Sequence, residues 1–329
     1  MDLSLSDDQE QIRSTFAAFF AKESSVEVVR AAEPLGFSAD LWRKLGDLGA
    51  TSMALPEELG GGASLLEVGL VVTEAGRHLA PVPLVEAVVA GRLLAALGAE
   101  VPDDGSVLAF APRPAGGDVA TLVPGAAVAG HVVVRRGDDV LVVPSSGRRA
   151  PANLGLAPLA DVPLAEGRVV ASGPEAVAAH ERAVDEWRAL TAAALTGLGE
   201  RALEIGVDYS KDRIAFGVPI ATFQAVAHAL ADAGTAVRGA GVLATEALWA
   251  GDDEPGRFPL LAAMAFAFGA RAARQASLTG LHVHGGYGFM LEYDIQLYFR
   301  RAKAWPLALG DPRRELRRVG KMVLGREVA

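Results

Sequence analysis

The sequence contains no cysteine, which excludes a disulfide framework, a thiol nucleophile and any cysteine-based metal site. Aromatic residues amount to only 6%. No apolar stretch runs the ~20 residues of a bilayer span before Arg, Glu, Asp or Pro interrupts it, so no membrane association is expected. Positive charge is in deficit: 31 Lys and Arg against 40 Asp and Glu leave a net charge of −9. The overall field therefore does not draw in nucleic acid, and an anionic ligand has to be held by local Arg and His residues. The opening MDLSLSDDQEQIRSTF is acidic where a secretory signal is basic and then apolar, and with the missing cysteine this leads to an expected cytoplasmic location. What is plentiful is small and apolar: 51% of 329 residues are hydrophobic and 37 are Gly. That suffices for a sizeable core in two or three regions, with helices able to pack closely.

Three regions follow from periodicity. Residues 1–100 read as helical. Ser4 or Ser6 is placed to cap an acidic first turn at Asp7 and Asp8, and Ile12, Phe16, Phe19 and Phe20 follow at helix spacing. A second helix through Leu41, Leu45 and Leu48 stops at Gly49; MALPEELGGGAS reads as a loop before a helix from Leu65 to about Leu79. Over residues 101–173 the period changes, and HVVVRRGDDVLVVP reads as a hairpin turning on Gly-Asp, with further strands near Val107–Phe110 and Arg168–Ala171. The region is short for a full barrel. Residues 174–329 return to helical spacing over roughly 175–212, 219–250, 257–283, 292–304 and 312–325, the pattern of a bundle. The expected fold class is mainly α with a small β region.

Three segments carry more specific information. KDRIAFGVPIATFQAVAHALAD holds Arg213, Phe216, Gly217 and Gln224; LHVHGGYGFMLEYDIQLYFRRAK holds a Gly-Gly turn and an Arg-x-Ala-Lys helix; WRKLGDLGATSMALPEELGGGAS joins a Leu-Gly to a Pro-Glu-Glu and a Gly run. Together they resemble the signatures of the acyl-CoA dehydrogenases. The resemblance implies an N-terminal helical domain, a middle β-domain, here truncated, and a C-terminal helical bundle, with FAD-dependent α,β-dehydrogenation of an acyl-CoA thioester. It further implies that Arg213, Phe216, Gln224 and the loop His282, Val283, His284, Gly285 and Gly286 bind the adenosine and pyrophosphate end of FAD. A guanidinium suits phosphate, and a backbone without Cβ approaches it closely. Asp185 and Arg188, in AVDEWRALTAAALTGLGERAL, match a helix that lines the acyl-CoA pocket and are implied to be substrate-adjacent; read alone, they are a helix-start ion pair.

The departures are equally informative. In most of the family the α-proton is taken by the Glu of a Tyr-Glu-Gly-Thr segment, whose position here is Leu309 followed by Gly310. Some relatives carry the base directly before the residue matched by Arg188, and that position is Trp187. Glu186 is adjacent but about 100° around the helix, which makes it a poor base. The Thr-Glu-Pro and Gly-Ser-Asp elements that hold the flavin ring are not found. The chain thus resembles the smaller, non-catalytic member of paired actinobacterial dehydrogenases of steroid side chains. This implies a longer partner subunit in an α2β2 heterotetramer, a shared FAD, a bulky acyl-CoA and electron-transfer flavoprotein as acceptor. A self-sufficient homo-oligomer with a relocated base, and a structural partner that does not touch FAD, remain as alternatives. His282 and His284 lack a third ligand at metal spacing, so no metal is expected. Tyr287 and Trp305 read as packing residues, RRELRR as a solvated face or subunit contact, and Ser145-Ser146 as a polar turn without triad partners.

Overall fold

A computed structural model describes residues 4–33 and 35–325. Residues 1–3, on which part of the reading of the amino terminus rests, and 326–329 lie outside them. The chain opens with α1 (Asp7–Glu23), α2 (Val26–Ala31), α3 (Ala39–Asp47), α4 (Leu65–Arg77) and α5 (Leu84–Ala96). Ser6 caps α1, accepting from the Gln9 N–H while the Gln9 side chain accepts from the Ser6 N–H, and Ser64 with Glu67 forms the same reciprocal box on α4. Within the expected loop, Glu57–Leu59 forms one 3-10 turn.

The middle region holds β1 (Val107–Phe110), β2 (Val119–Val123), β3 (Ala129–Arg136), β4 (Asp139–Pro144), β5 (Ala160–Pro163) and β6 (Arg168–Ser172). One sheet has the order β1-β3-β4-β6, and β2 pairs with β5 alone. The β3–β4 hairpin turns on Gly137, at φ 59, and Asp138. Its unbroken apolar runs have a reason: Val133, Val140 and Val142 face the large core shared with the helices, while Val132, Val134, Leu141 and Val143 face a second core under β2 and β5. A sheet buried on both faces needs apolar residues at both parities.

The remainder is α6 (Pro174–Asp212), the short hairpin β7 (Ile214–Ala215) and β8 (Val218–Pro219), α7 (Gln224–Asp253), α8 (Phe258–His284), α9 (Ile295–Ala304) and α10 (Arg313–Leu324). The helix expected from residue 219 begins at Gln224 instead, because Val218–Pro219 pairs with Ile214–Ala215 and Ile220–Thr222 forms a 3-10 turn. α6 is the axis of the molecule; from Ala183 to Gly199 it is buried around its whole circumference. Close approach to α4 is set by two glycines. A Cβ on Gly197 would stand 2.0 Å from the Thr73 carbonyl oxygen, and one on Gly76 would stand 2.1 Å from that of Ala194. Any side chain at either position forces the two helices apart.

Candidate functional site

Two places gather the chemistry-bearing residues, one near the start of the buried part of α6 and one at the carboxyl-terminal end of the helix. Arg188 and Arg213 are separated by about 37 Å of helix at 1.5 Å per residue.

At the far end of α6 the chain turns back through Phe216 and Gly217, both at positive φ (54 and 82). This is the two-residue turn whose twist matches a tight hairpin. Glycine adopts it freely; Phe216 does so at a cost of about 1–3 kcal/mol. Its ring is nonetheless 96% exposed and touches the Phe223 ring edge-on at 6.2 Å, immediately before Gln224 starts α7. Arg213 is exposed and forms no ion pair among the described residues; its guanidinium lies 5.9 Å from the Tyr287 ring. Tyr287 belongs to the 3-10 turn Gly285–Phe289, so the fold brings the Arg213 hairpin and the Gly-Gly turn side by side. Phe289 (71% exposed), Met290 and Leu291 extend this uncovered apolar surface.

Two expectations need correction here. His282, Val283 and His284 are not loop residues: α8 continues through His284 and ends at Gly285, whose φ is +60. His284 is buried, with Nδ1 2.7 Å from the Gly280 carbonyl and its ring stacked on Tyr209 at 4.0 Å. Desolvation holds its pKa below the usual histidine value. It supports the turn from beneath, whereas His282 is exposed. Tyr287, expected in packing, is 44% exposed.

At the other end, Asp185 and Arg188 join α10 in a buried charge cluster. Arg188 Nη1 donates to Asp185 Oδ1 at 2.7 Å and Nη2 to Glu315 Oε1 at 3.2 Å. Its Nε lies 2.9 Å from Glu315 Oε2 without the alignment of a hydrogen bond. Arg318 reaches Asp185 at 3.5 Å. RRELRR is therefore not simply a solvated face; α10 lies against α8 and sends Glu315 and Arg318 inward. Burial raises the Asp185 pKa despite both guanidinium groups. Neither Asp185 nor Arg188 reaches the adjoining cleft. Glu186 is likewise engaged, clamped by Arg92 at 2.9 Å and Arg182 at 3.1 Å, and it does not line the cleft.

That cleft, of about 690 Å³, lies between α4 and α6, the α4–α5 connection, the middle-region loops and the end of α9. Leu307 and Ala308 form part of its wall, while Leu309 packs partly buried against the main core. At the position to which the resemblance assigns a carboxylate, the chain thus carries apolar side chains. The sequence reading missed Glu86, which lines the cleft and accepts a hydrogen bond from the Trp187 indole Nε1 at 3.1 Å. Burial raises its pKa, the Trp187 N–H opposing. A signal was available: Glu86 is the one charge in the helical run LVEAVVAG, where an acid has no reason to be unless it meets a partner.

The acyl-CoA dehydrogenase N-terminal domain family matches residues 6–101 and the C-terminal domain family residues 177–324. Acyl-CoA dehydrogenase IpdE2 of Mycobacterium tuberculosis is 32% identical over 320 residues, covering 95% of this chain and 96% of that protein. A chain of the ChsE4-ChsE5 complex from Mycobacterium tuberculosis superposes with a TM-score of 0.88 at 27% identity over the full length of both chains. A chain of the Tcur3481-Tcur3483 steroid ACAD variant gives 0.86 at 26%, covering 97% of this chain and 98% of that one. With helical regions on both sides of a small β region, and with similarity running almost end to end, the chain belongs to the acyl-CoA dehydrogenase family.

Proposed function

We propose that this chain is a subunit of an FAD-dependent acyl-CoA dehydrogenase in which it holds the adenosine and pyrophosphate end of the cofactor. A longer partner in an α2β2 heterotetramer supplies the flavin-ring site and the catalytic carboxylate. The observation that carries this reading is Phe216: a large apolar side chain, 96% exposed, at positive φ and beside an exposed Arg213. Burying such a ring is worth about 1.5–3 kcal/mol, so a strained and uncovered Phe is accounted for when another surface closes over it. The residues fit a nucleotide tail. Arg213 is a permanent cation free of a carboxylate among the described residues, and Gln224, the first residue of α7, is exposed. A Cβ at Gly285 or Gly286 would meet no atom within 4 Å, so that backbone is open to an incoming phosphate.

When bound, FAD supplies the hydride acceptor for α,β-dehydrogenation of an acyl-CoA. This chain's residues bind and orient its tail; Leu309 and the clamped Glu186 offer no proton acceptor. The two-chain complexes among the similar structures support a heteromer, and the steroid ACAD supports a bulky, steroid-derived acyl group. Domains at 1–100, 101–173 and 174–329, a cytoplasmic location and electron-transfer flavoprotein as acceptor complete the proposal. Co-expression with a partner is expected to yield a yellow, active complex and the lone chain a colourless one; a yellow, active homotetramer of this chain alone overturns the reading. One observation favours that second arrangement: Glu86, a carboxyl facing the cleft, is the group a homo-oligomer would use. Glu86→Gln would then abolish turnover, whereas in the heteromer it leaves turnover on the partner's carboxylate.

A further inference from the structure

We infer that a second, smaller cleft, where α1 passes into α2 against the end of α4, α6 and the start of α9, binds a small oxyanion between Arg77, His78 and Arg201. The inference does not rest on the flavin half-site, since Arg201 and Arg213 are about 18 Å apart along α6 at 1.5 Å per residue. Nor is this cleft a part of the large one. The two share a single wall residue, the buried Leu79.

The cleft holds about 300 Å³, the small end of ligand pockets and roughly ten times a water's share of the liquid. That is room for a compact polar molecule. The wall differs in kind from that of the large cleft, for it carries Arg77, His78, Arg201, Asp294 and Tyr298. Asp294, the one carboxylate among these, pairs with Arg30 at 2.7 Å. Arg77 and Arg201 meet on one oxygen of a carboxylate outside the cleft, Glu204 Oε2, at 2.7 Å and 3.0 Å. Glu200 stands 3.6 Å from Arg77, beyond hydrogen-bond reach. Two guanidinium forks of five N–H donors each therefore keep donors to spare. Arg201 gives one to the Tyr298 oxygen, and the Tyr298 hydroxyl donates in turn to the Arg77 carbonyl at 3.1 Å. These contacts fix the cationic side of the cleft.

His78 is an independent sign. Its ring is half-buried and makes no hydrogen bond among the described residues; desolvation, then Arg77 and Arg201, hold its pKa below the usual histidine value, with Glu204 opposing. A neutral imidazole thus stands in a positive field with its N–H unused. An anion entering the cleft meets both guanidinium groups and that N–H together, donors that suit a phosphate or a carboxylate. The opposite wall is tied in place, because Ser24 Oγ donates to the His78 carbonyl at 3.1 Å and joins the α1–α2 junction to the end of α4.

The test is the rate at which diethyl pyrocarbonate modifies His78 in the co-expressed complex, read by peptide mass spectrometry with FAD in excess so that the Arg213 end is filled. Sodium phosphate and sodium succinate are the probes, and sodium chloride at equal ionic strength is the control. At about ten times its dissociation constant, at least one probe is expected to slow modification of His78 about tenfold, the free fraction then being about a tenth, while exposed His228 reacts as before. The probe that protects distinguishes phosphate from carboxylate. Arg201→Gln, a change to a side chain that is 43% exposed, is expected to raise the concentration for half-protection about tenfold to a hundredfold, the value of a charge-assisted hydrogen bond. Protection by neither probe beyond that by chloride, or protection unaltered in Arg201→Gln, overturns the proposal. So does a His78 that fails to react in the anion-free complex, because a cleft closed to the reagent is closed to an anion of like size.

Discussion

Arg213→Ala separates the flavin role of the α6 end from a purely structural one. The guanidinium is exposed, pairs with no carboxylate among the described residues and stands 5.9 Å from the Tyr287 ring. Its removal should therefore cost folding no more than about 0.5 kcal/mol, as for a surface substitution away from packed features. The cost to a bound phosphate is of another size. A charge-assisted hydrogen bond is worth about 1.5–3 kcal/mol, which is roughly a 10- to 150-fold loss of cofactor affinity. Arg213→Lys keeps the charge but loses the paired donors, and should fall between the two. The assay is flavin absorbance of the dialysed complex against free FAD, alongside the melting curve of each variant. The expected result is a melting temperature within a degree or two of wild type and a flavin affinity reduced as stated. Flavin affinity unchanged in Arg213→Ala, with the complex intact, would refute the half-site.

Three further outcomes follow from the geometry. Glu315→Leu leaves Arg188 buried with Asp185 alone and should cost about 3–5 kcal/mol in denaturant unfolding; the double variant Arg188→Met/Glu315→Leu should regain most of it, because two charges leave the interior together. Glu186→Gln should change turnover of the complex by less than about threefold, where loss of a catalytic base costs about 10²–10⁴, and should lower stability through its contacts with Arg92 and Arg182. His180, buried against Phe110, has its pKa lowered from 6.5 to about 4 by desolvation and by Arg135. The unfolded chain then takes up a proton that the folded chain refuses, so stability is lost as pH falls from about 6.5 to 4, at up to about 1.4 kcal/mol per pH unit. His180→Phe should flatten that part of the stability profile; an unaltered slope in urea unfolding across those pH values refutes the assignment.

The amino-acid order by itself determined the elements and their class. Ser6 announced a helix start, Gly137-Asp138 announced a hairpin, and the spacing of apolar residues announced a long α6, because capping, turn chemistry and periodicity act over a few neighbouring residues. It also determined what chemistry Leu309 and Trp187 forbid, since a side chain without a basic atom accepts no proton wherever it is placed. Tertiary structure decided which charges meet. That Glu315 closes on Arg188 and Arg318 on Asp185, and that Glu186 is held by Arg92 from another helix, depend on contacts between residues over 90 positions apart. Local pattern carries no information about those distances. The same holds for α8, which runs on through His284 because the ring stacks on Tyr209, a stabilisation that exists only after α6 has packed beside it.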